Sequence, residues 1–311
     1  MAAPTASSSV NLSNESATAL TAVQMVQRIL RRLEDDSYID QNTNNLTSSG
    51  TAVTVATDAT ARYSAQGGDV LDWTDDGSFD AAVTTAAAAT SLTVVRGHRG
   101  TTAAAHDGSV TPKTFRLNPR FLSHLINEMA TEVIDNLYPD LFLVRDSIYT
   151  LPSQPYDLYY ALPAGTIDIL EVYQYNTTAS PDTKDPVTSF TKPFWADTTN
   201  FTTGLGTRIE GFSDNGNIHV INVAKLALST LNAAQNDIVA YETAANALEA
   251  EVTRPTRQGA DAAMFDSTNK IQILRRRARE LRQRERTRLL GFTPYRDSLV
   301  FRDRHLYSQQ S

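Results

Sequence analysis

Eight arginines and one lysine lie between Lys270 and Arg288, and arginine at that density binds anions. The residues are Lys270, Arg275, Arg276, Arg277, Arg279, Arg282, Arg284, Arg286 and Arg288, interrupted only by the acids Glu280 and Glu285. Nine minus two makes the stretch +7. The chain totals -7, so the remainder carries -14. Such a basic arm on an acidic body faces nucleic acid, a membrane surface or an acidic protein. The eight-to-one preference for arginine over lysine favours a protein interface. The guanidinium forms bidentate bonds to carboxylates and sheds water more readily than an ammonium. A solvated face and phosphate contact remain the other two readings.

A second candidate follows directly. Residues 292–311 place Phe292, Tyr295, Phe301 and Tyr307 among Arg296, Arg302, Arg304 and His305. Aromatics spaced along a polar segment suit docking into another protein's grooves. The candidate protein interface is therefore Arg275, Arg276, Arg279, Arg282, Arg286, Phe292, Tyr295, Phe301 and Tyr307.

Other constellations are weaker. His98 and His106 lie near Asp107, but no third ligand stands at helical or hairpin spacing, and the flanking glycines indicate a tight turn. Asp69, Asp72, Asp75, Asp76 and Asp80 lack the Gly and bidentate Glu of a calcium loop. Gly204-Leu205-Gly206 is a fragment of a phosphate loop without its third glycine, and no Gly-x-Ser-x-Gly elbow exists. No catalytic residue, metal or cofactor is assigned, and the chain is not expected to be an enzyme.

The elements that must carry these residues alternate in texture. Residues 1–14 are small and polar and predict a flexible tail. A helix follows within 15–40, with Leu20, Val23, Val26, Leu30 and Leu33 as its stripe and Ser13, Asn14 or Ser16 as caps. Short apolar runs broken by turn signals predict a small β-domain over 41–115, with Ala86-Ala87-Ala88-Ala89 as a loop or poor strand. A second helix within 116–140 has Asn118 as cap and Pro119 at its first position. It aligns Leu122, Leu125, Ile126, Met129, Val133 and Leu137, and Pro139 ends it.

A second, antiparallel, sandwich-like β-block occupies 141–230. Within it, Asn215-Gly216 predicts a hairpin between the runs at 205–212 and 218–223. Helices three and four fill 231–291. The third is capped by Asn236 or Asp237 and carries Ile238, Tyr241, Ala245, Leu248 and Val252. The fourth carries Ile271, Leu274, Ala278, Leu281 and Leu289 and stops at Gly291. The predicted class is α+β: a bundle of four main helices, two antiparallel β insertions and an extended C-terminal docking tail at 292–311.

At 311 residues the chain exceeds one growing core, so two or more folding units are expected. Hydrophobic content of 41% and charged content of 20% are ordinary for globular protein. Cysteine is absent, so no disulfide or thiolate chemistry is available. The first residues lack the basic and apolar regions of a secretory signal, and no apolar run approaches the roughly 18 residues of a membrane span.

Two stretches carry a family resemblance. Gly68-Asp69-Val70-Leu71, then Leu92-Thr93-Val94-Val95-Arg96-Gly97-His98-Arg99-Gly100-Thr101-Thr102-Ala103-Ala104-Ala105-His106, resembles a phrase of small β-domains in tailed-bacteriophage virion proteins. Leu125-Ile126-Asn127-Glu128-Met129 through Asn136-Leu137-Tyr138-Pro139-Asp140-Leu141-Phe142 resembles the head-to-tail adaptor (connector) proteins of those phages. The order of helices, β insertions, long helix and tail is also similar across 15–311, although the loop at 176–203 has no counterpart. The resemblance implies a structural ring, usually twelve-fold, beneath the portal, at the neck of a virion assembled in the host cytoplasm. Its partners would be the portal protein, tail or neck proteins and its own copies, with no membrane. Double-stranded DNA would pass through the lumen without sequence-specific binding, which an acidic wall favours. The alternatives are another phage tail or capsid-decorating protein, or a nucleic-acid-binding protein using the Arg-rich helix.

Overall fold

The first amides of a helix need acceptors, and Thr21 supplies one. In the computed structural model its hydroxyl accepts from the Gln24 amide at 3.2 Å, and the Gln24 side chain accepts from the Thr21 amide at 3.0 Å. This capping box starts the first helix, so Ser13 is not its cap. Ser13 instead accepts from the Val144 amide at 2.9 Å. The structure describes residues 5–13, 18–35, 37–56, 58–74, 78–150, 159–176, 183–186, 189–195, 204–210, 217–252 and 261–290. Asn14 and Ser16 lie outside them, as do Asn215-Gly216, Gly291 and 292–311.

In chain order the elements begin with β1 (Ser8–Asn11), α1 (Ala22–Leu33), β2 (Tyr38–Asn42), β3 (Ala52–Thr54) and α2 (Ala59–Arg62). Then come β4 (Val70–Trp73), β5 (Asp80–Ala88), β6 (Ser91–Arg96), β7 (Lys113–Leu117) and α3 (Ser123–Asp135). A second run of strands follows: β8 (Leu143–Thr150), β9 (Tyr159–Ala161), β10 (Thr166–Asn176), β11 (Thr183–Pro186), β12 (Ser189–Phe190) and β13 (Phe194–Trp195). The last are β14 (Leu205–Glu210), β15 (Asn217–Ala224), α4 (Ala233–Val252) and α5 (Asp261–Leu290). The class is α+β with antiparallel sheets. The chain divides into two compact units, one formed by 19–134 with 233–281 and one by the described parts of 1–18, 135–232 and 282–311.

In the first unit six strands form one sheet in the order β2-β7-β4-β5-β6-β3. The sheet curls into a half-barrel whose edges touch at a bridge between Asn42 and Val55. Leu46, Val53, Leu71, Trp73, Leu92 and Phe115 are among the side chains filling it. The Ala86-Ala87-Ala88 run is strand, not loop: its residues pair with Thr93, Leu92 and Ser91, and Ala89 turns the chain at φ 45°. Ladder bonds to β6 override alanine's helix propensity there, since Ala86 and Ala88 are exposed and only Ala87 is half-buried. Gly67, at φ +78°, lies so close to β5 that a Cβ would sit 2.6 Å from Thr85 Cα.

The helices of this unit correct several details. In α1 the buried residues are Met25, Val26, Ile29 and Leu33, so the apolar arc is rotated from the predicted stripe. Packing on α4 sets the new face. Asn118 does not cap α3, which begins at Ser123. At φ 46° Asn118 instead accepts from the Val70 amide and donates to Asp69, both at 2.7 Å, which fastens it to the barrel. Asn236 and Asp237 do not cap α4, which starts at Ala233. Asp237 lies inside the helix and takes Arg28 at 2.8 Å together with Arg32. On α5, Leu274, Ala278 and Leu289 are buried as predicted, while Ile271 and Leu281 are half-buried.

In the second unit two antiparallel sheets share a core. One runs β1-β8-β15-β10-β11, and the other holds β12-β14-β13 with β9 on β14. Tyr149, Val172, Ile218 and Val220 of the first meet Tyr160, Leu162 and Ile209 of the second. Tyr149 packs edge-on to Tyr160 with ring centroids 5.3 Å apart, and its hydroxyl donates to the Ala161 carbonyl at 2.8 Å. Two predictions differ here. The predicted free tail contains β1, whose Ser8 to Asn11 pair with Ile148 to Arg145. The predicted hairpin is not formed: β14 pairs with β9, β12 and β13, whereas β15 pairs with β8 and β10. Period-two alternation is the same whether consecutive strands pair or cross to the facing sheet.

Candidate functional site

The arginine row sits on α5, and the buried line Leu274, Ala278 and Leu289 turns most of it outward. Several arginines are neutralised within the chain. Arg275 pairs with Glu249, Arg276 reaches Glu280 at 3.1 Å, and Arg277 reaches the same carboxylate at 3.3 Å. Sharing two guanidiniums holds the Glu280 carboxyl below its usual range. Arg282 and Arg286 flank Asp140 at 3.7 and 3.6 Å. Arg288 pairs with Glu285 at 3.0 Å and donates to the Ser13 carbonyl at 2.7 Å. Lys270 reaches Glu34 at 2.8 Å.

Arg279 and Arg284 are exposed and have no acid in reach among the described residues. Of the nine candidate interface residues, the five arginines therefore share one helix, but only Arg279 lacks an ion pair. Arg276 keeps 83% of its side chain exposed despite its pair. Such exposed pairs are worth little, so Arg276 is available to a new acid. Phe292, Tyr295, Phe301 and Tyr307 lie outside the described residues.

The histidine and aspartate candidates separate in space. His106 is buried in the barrel, stacked on Trp73 with centroids 4.9 Å apart, its Nε2 3.2 Å from Asp80 Oδ2. Arg96 bonds the same carboxylate and donates to the Ala104 carbonyl at 2.6 Å. Burial opposes ionisation of Asp80. The hydrogen bonds from His106, Arg96 and the Ala104 amide outweigh it and hold the carboxyl below its usual range. Asp107 closes its own turn, accepting from the amide and hydroxyl of Ser109 at 3.2 Å. His98 stands in a short helical turn at His98–Gly100, its pKa lowered by burial and by the nearby Arg99 and His124.

Among the predicted acidic cluster, Asp69 accepts from the Ser64 amide at 2.6 Å. Asp72 binds Arg116 and Ser123, and Asp75 and Asp76 lie outside the described residues. No group of three or more potential metal ligands converges among the described residues. Gly204-Leu205-Gly206 opens β14, where Gly206 pairs with Phe194 and Ala161, so its amides face strands.

Three features escaped sequence reasoning. Asp146, Tyr173 and His219 form a hydrogen-bonded triangle, with His219 Nδ1 2.9 Å from Asp146 Oδ2 and the Tyr173 hydroxyl 3.1 Å from the same oxygen. Its members come from three strands, and only register brings them together. Ile273 is 63% exposed on the outward face of α5. Glu128 and Glu132, one turn apart on α3, are exposed and unpaired among the described residues. The i, i+4 spacing of the two glutamates was legible; their lack of partners was not. Neither a scan against protein-family models nor searches of curated proteins and of solved structures returns a match.

Proposed function

We propose that this chain is a structural virion protein, a head-to-tail adaptor whose copies form a ring beneath the portal of a tailed bacteriophage. In this reading α1, α3, α4 and α5 make a four-helix bundle, and the barrel and the two-sheet block are its β insertions. The ring links the DNA-filled capsid to the tail and lines part of the DNA channel. The observation that carries the reading is the outward arginine row of α5, with Arg279 and Arg284 unpaired among the described residues, on a chain otherwise carrying -14. A cationic helix face on an acidic body suits an acidic protein surface, while like charge keeps passing duplex from adhering.

The test is co-assembly. Purified protein is mixed with portal at micromolar concentration and imaged by electron microscopy, with rings seated on portal as the expected result. Absence of any complex refutes the reading. Duplex DNA is titrated in parallel. If the arginine row were instead a phosphate-binding arm, affinity would drop by roughly 10³–10⁵ between about 50 and 200 mM salt. The adaptor reading expects negligible duplex binding near physiological salt.

A further inference from the structure

Two helix faces of the first unit are exposed among the described residues, and they match. On α5, Ile273 stands 63% exposed, one turn before Arg276 and two before Arg279 and Glu280. Glu280 is shared between Arg276 and Arg277, so the patch stays net positive. On α3, Glu128 and Glu132 form an exposed acidic pair, unpaired among the described residues. Beside them a cavity of about 380 Å³ opens, its wall part apolar, with Leu122, Leu125, Ile126 and Met129, and part polar, with Arg99 and Arg120. Of the two arginines in its lining, Arg120 is neutralised by Glu251, and Arg99 leaves one positive charge against the two of Glu128 and Glu132.

The spacing agrees on both sides. Ile273 precedes Arg276 by three residues; Leu125 precedes Glu128, and Met129 precedes Glu132, by the same three. Residues three apart lie on one helix face, so each helix presents an apolar spot and a charge at equal separation, of opposite sign. A single large apolar side chain exposed beside charges, with a cavity that has one apolar wall elsewhere on the same molecule, is the arrangement of a head-to-tail contact.

We propose that α5 of one copy seats on α3 of the next. Ile273 enters the cavity beside Leu125 and Met129, and Arg276 and Arg279 pair with Glu128 and Glu132. The occupant of this surface is a second copy of the chain. Because the two faces differ, every copy offers both halves, and the contact propagates until rotation closes it. One such contact is small, so closure, which gives each copy two contacts, is what makes the assembly persist. The inference rests on the adaptor reading for its ring, and it names the subunit interface of that ring.

A charge swap tests it on the full chain. Variant one carries Arg276→Glu with Arg279→Glu; variant two carries Glu128→Arg with Glu132→Arg. All four positions are exposed, and circular dichroism checks that both variants fold. Sedimentation velocity in low salt is expected to show wild-type self-association that high salt weakens by screening. Each variant alone is expected to associate on the order of a hundredfold more weakly, since like charges then face each other. An equimolar mixture restores association, because each variant's two faces complement the other's. Ile273→Ser weakens association without altering its salt dependence.

A monomeric wild type at micromolar concentration overturns the interface, as do variants that associate like wild type or a mixture that stays apart. Portal binding, read separately, distinguishes the two claims. Portal complexes from a chain whose swap fails leave the adaptor reading standing without this interface. A successful swap without portal binding does the reverse.

Discussion

Arg116→Met places two buried carboxylates side by side with no cation between them. Arg116 Nη1 lies 2.6 Å from Asp35 Oδ2. Nη2 bonds Asp72 and donates to the Phe121 carbonyl at 2.7 Å and to Ser123 Oγ at 3.0 Å. The side chains of Asp35 and Asp72 are 2% and 0% exposed. Methionine keeps most of the stem's packing and removes the charge. Breaking a buried pair costs about 3–5 kcal/mol, a large fraction of an ordinary domain stability of about 5–15 kcal/mol. With a urea slope near 2 kcal/mol per M, the midpoint falls by about 1.5–2.5 M.

Trp73 fluorescence in a Trp195→Phe background reports this unit during urea unfolding. Adding Asp35→Asn and Asp72→Asn to Arg116→Met is expected to recover most of the loss, because the desolvated charges go with the partner. The pH dependence has a definite sign. Burial pushes the Asp72 carboxyl up, against the pull of Arg116 and Ser123. A raised folded pKa means that protonation favours the folded state as pH falls. Without Arg116 this is stronger, so the variant's deficit shrinks in acid. A deficit under about 1 kcal/mol at neutral pH, the size of an average surface or core change, would refute the reasoning. So would a triple variant no more stable than the single.

Two further outcomes follow from the same physics. Asp80 has a folded pKa held below its ordinary 3.8, so its contribution is present above that value and is lost as pH falls through the folded one. Asp80→Asn should therefore lower the melting temperature at neutral pH and flatten its acid limb; limbs parallel to wild type would discard the Asp80–His106–Arg96 network as a source of acid sensitivity. Deleting 292–311 is expected to leave the circular dichroism melt unchanged while abolishing portal co-assembly, and an unfolded truncation would assign those residues to the core instead.

The parts of the fold that were legible depend on local patterns. Turn signals and short apolar runs in the first β region, the stripe of α3 and the line Leu274, Ala278 and Leu289 each follow from one element's own periodicity. Asn118, Asn236 and Asp237 were misread because a polar side chain beside a helix looks the same whether it caps that helix or binds a neighbouring element. The arginine row was visible as a cluster. Which of its members keeps a free charge depends on acids far along the chain, such as Glu249 and Asp140.

The amino-acid sequence by itself determined the α+β class, the absence of thiol chemistry, and the concentration of positive charge in one helix of an acidic chain. Composition and near-neighbour spacing carry those properties wherever the chain folds. Only the tertiary structure decided that β14 and β15 lie in different sheets, that His106 meets Asp80 instead of Asp107, and that Ile273, Arg279, Glu128 and Glu132 face outward. Each of these is a matter of which distant residues occupy the space beside a side chain. Register, burial and ion pairing are settled jointly by the packed elements, so no single stretch of sequence contains them.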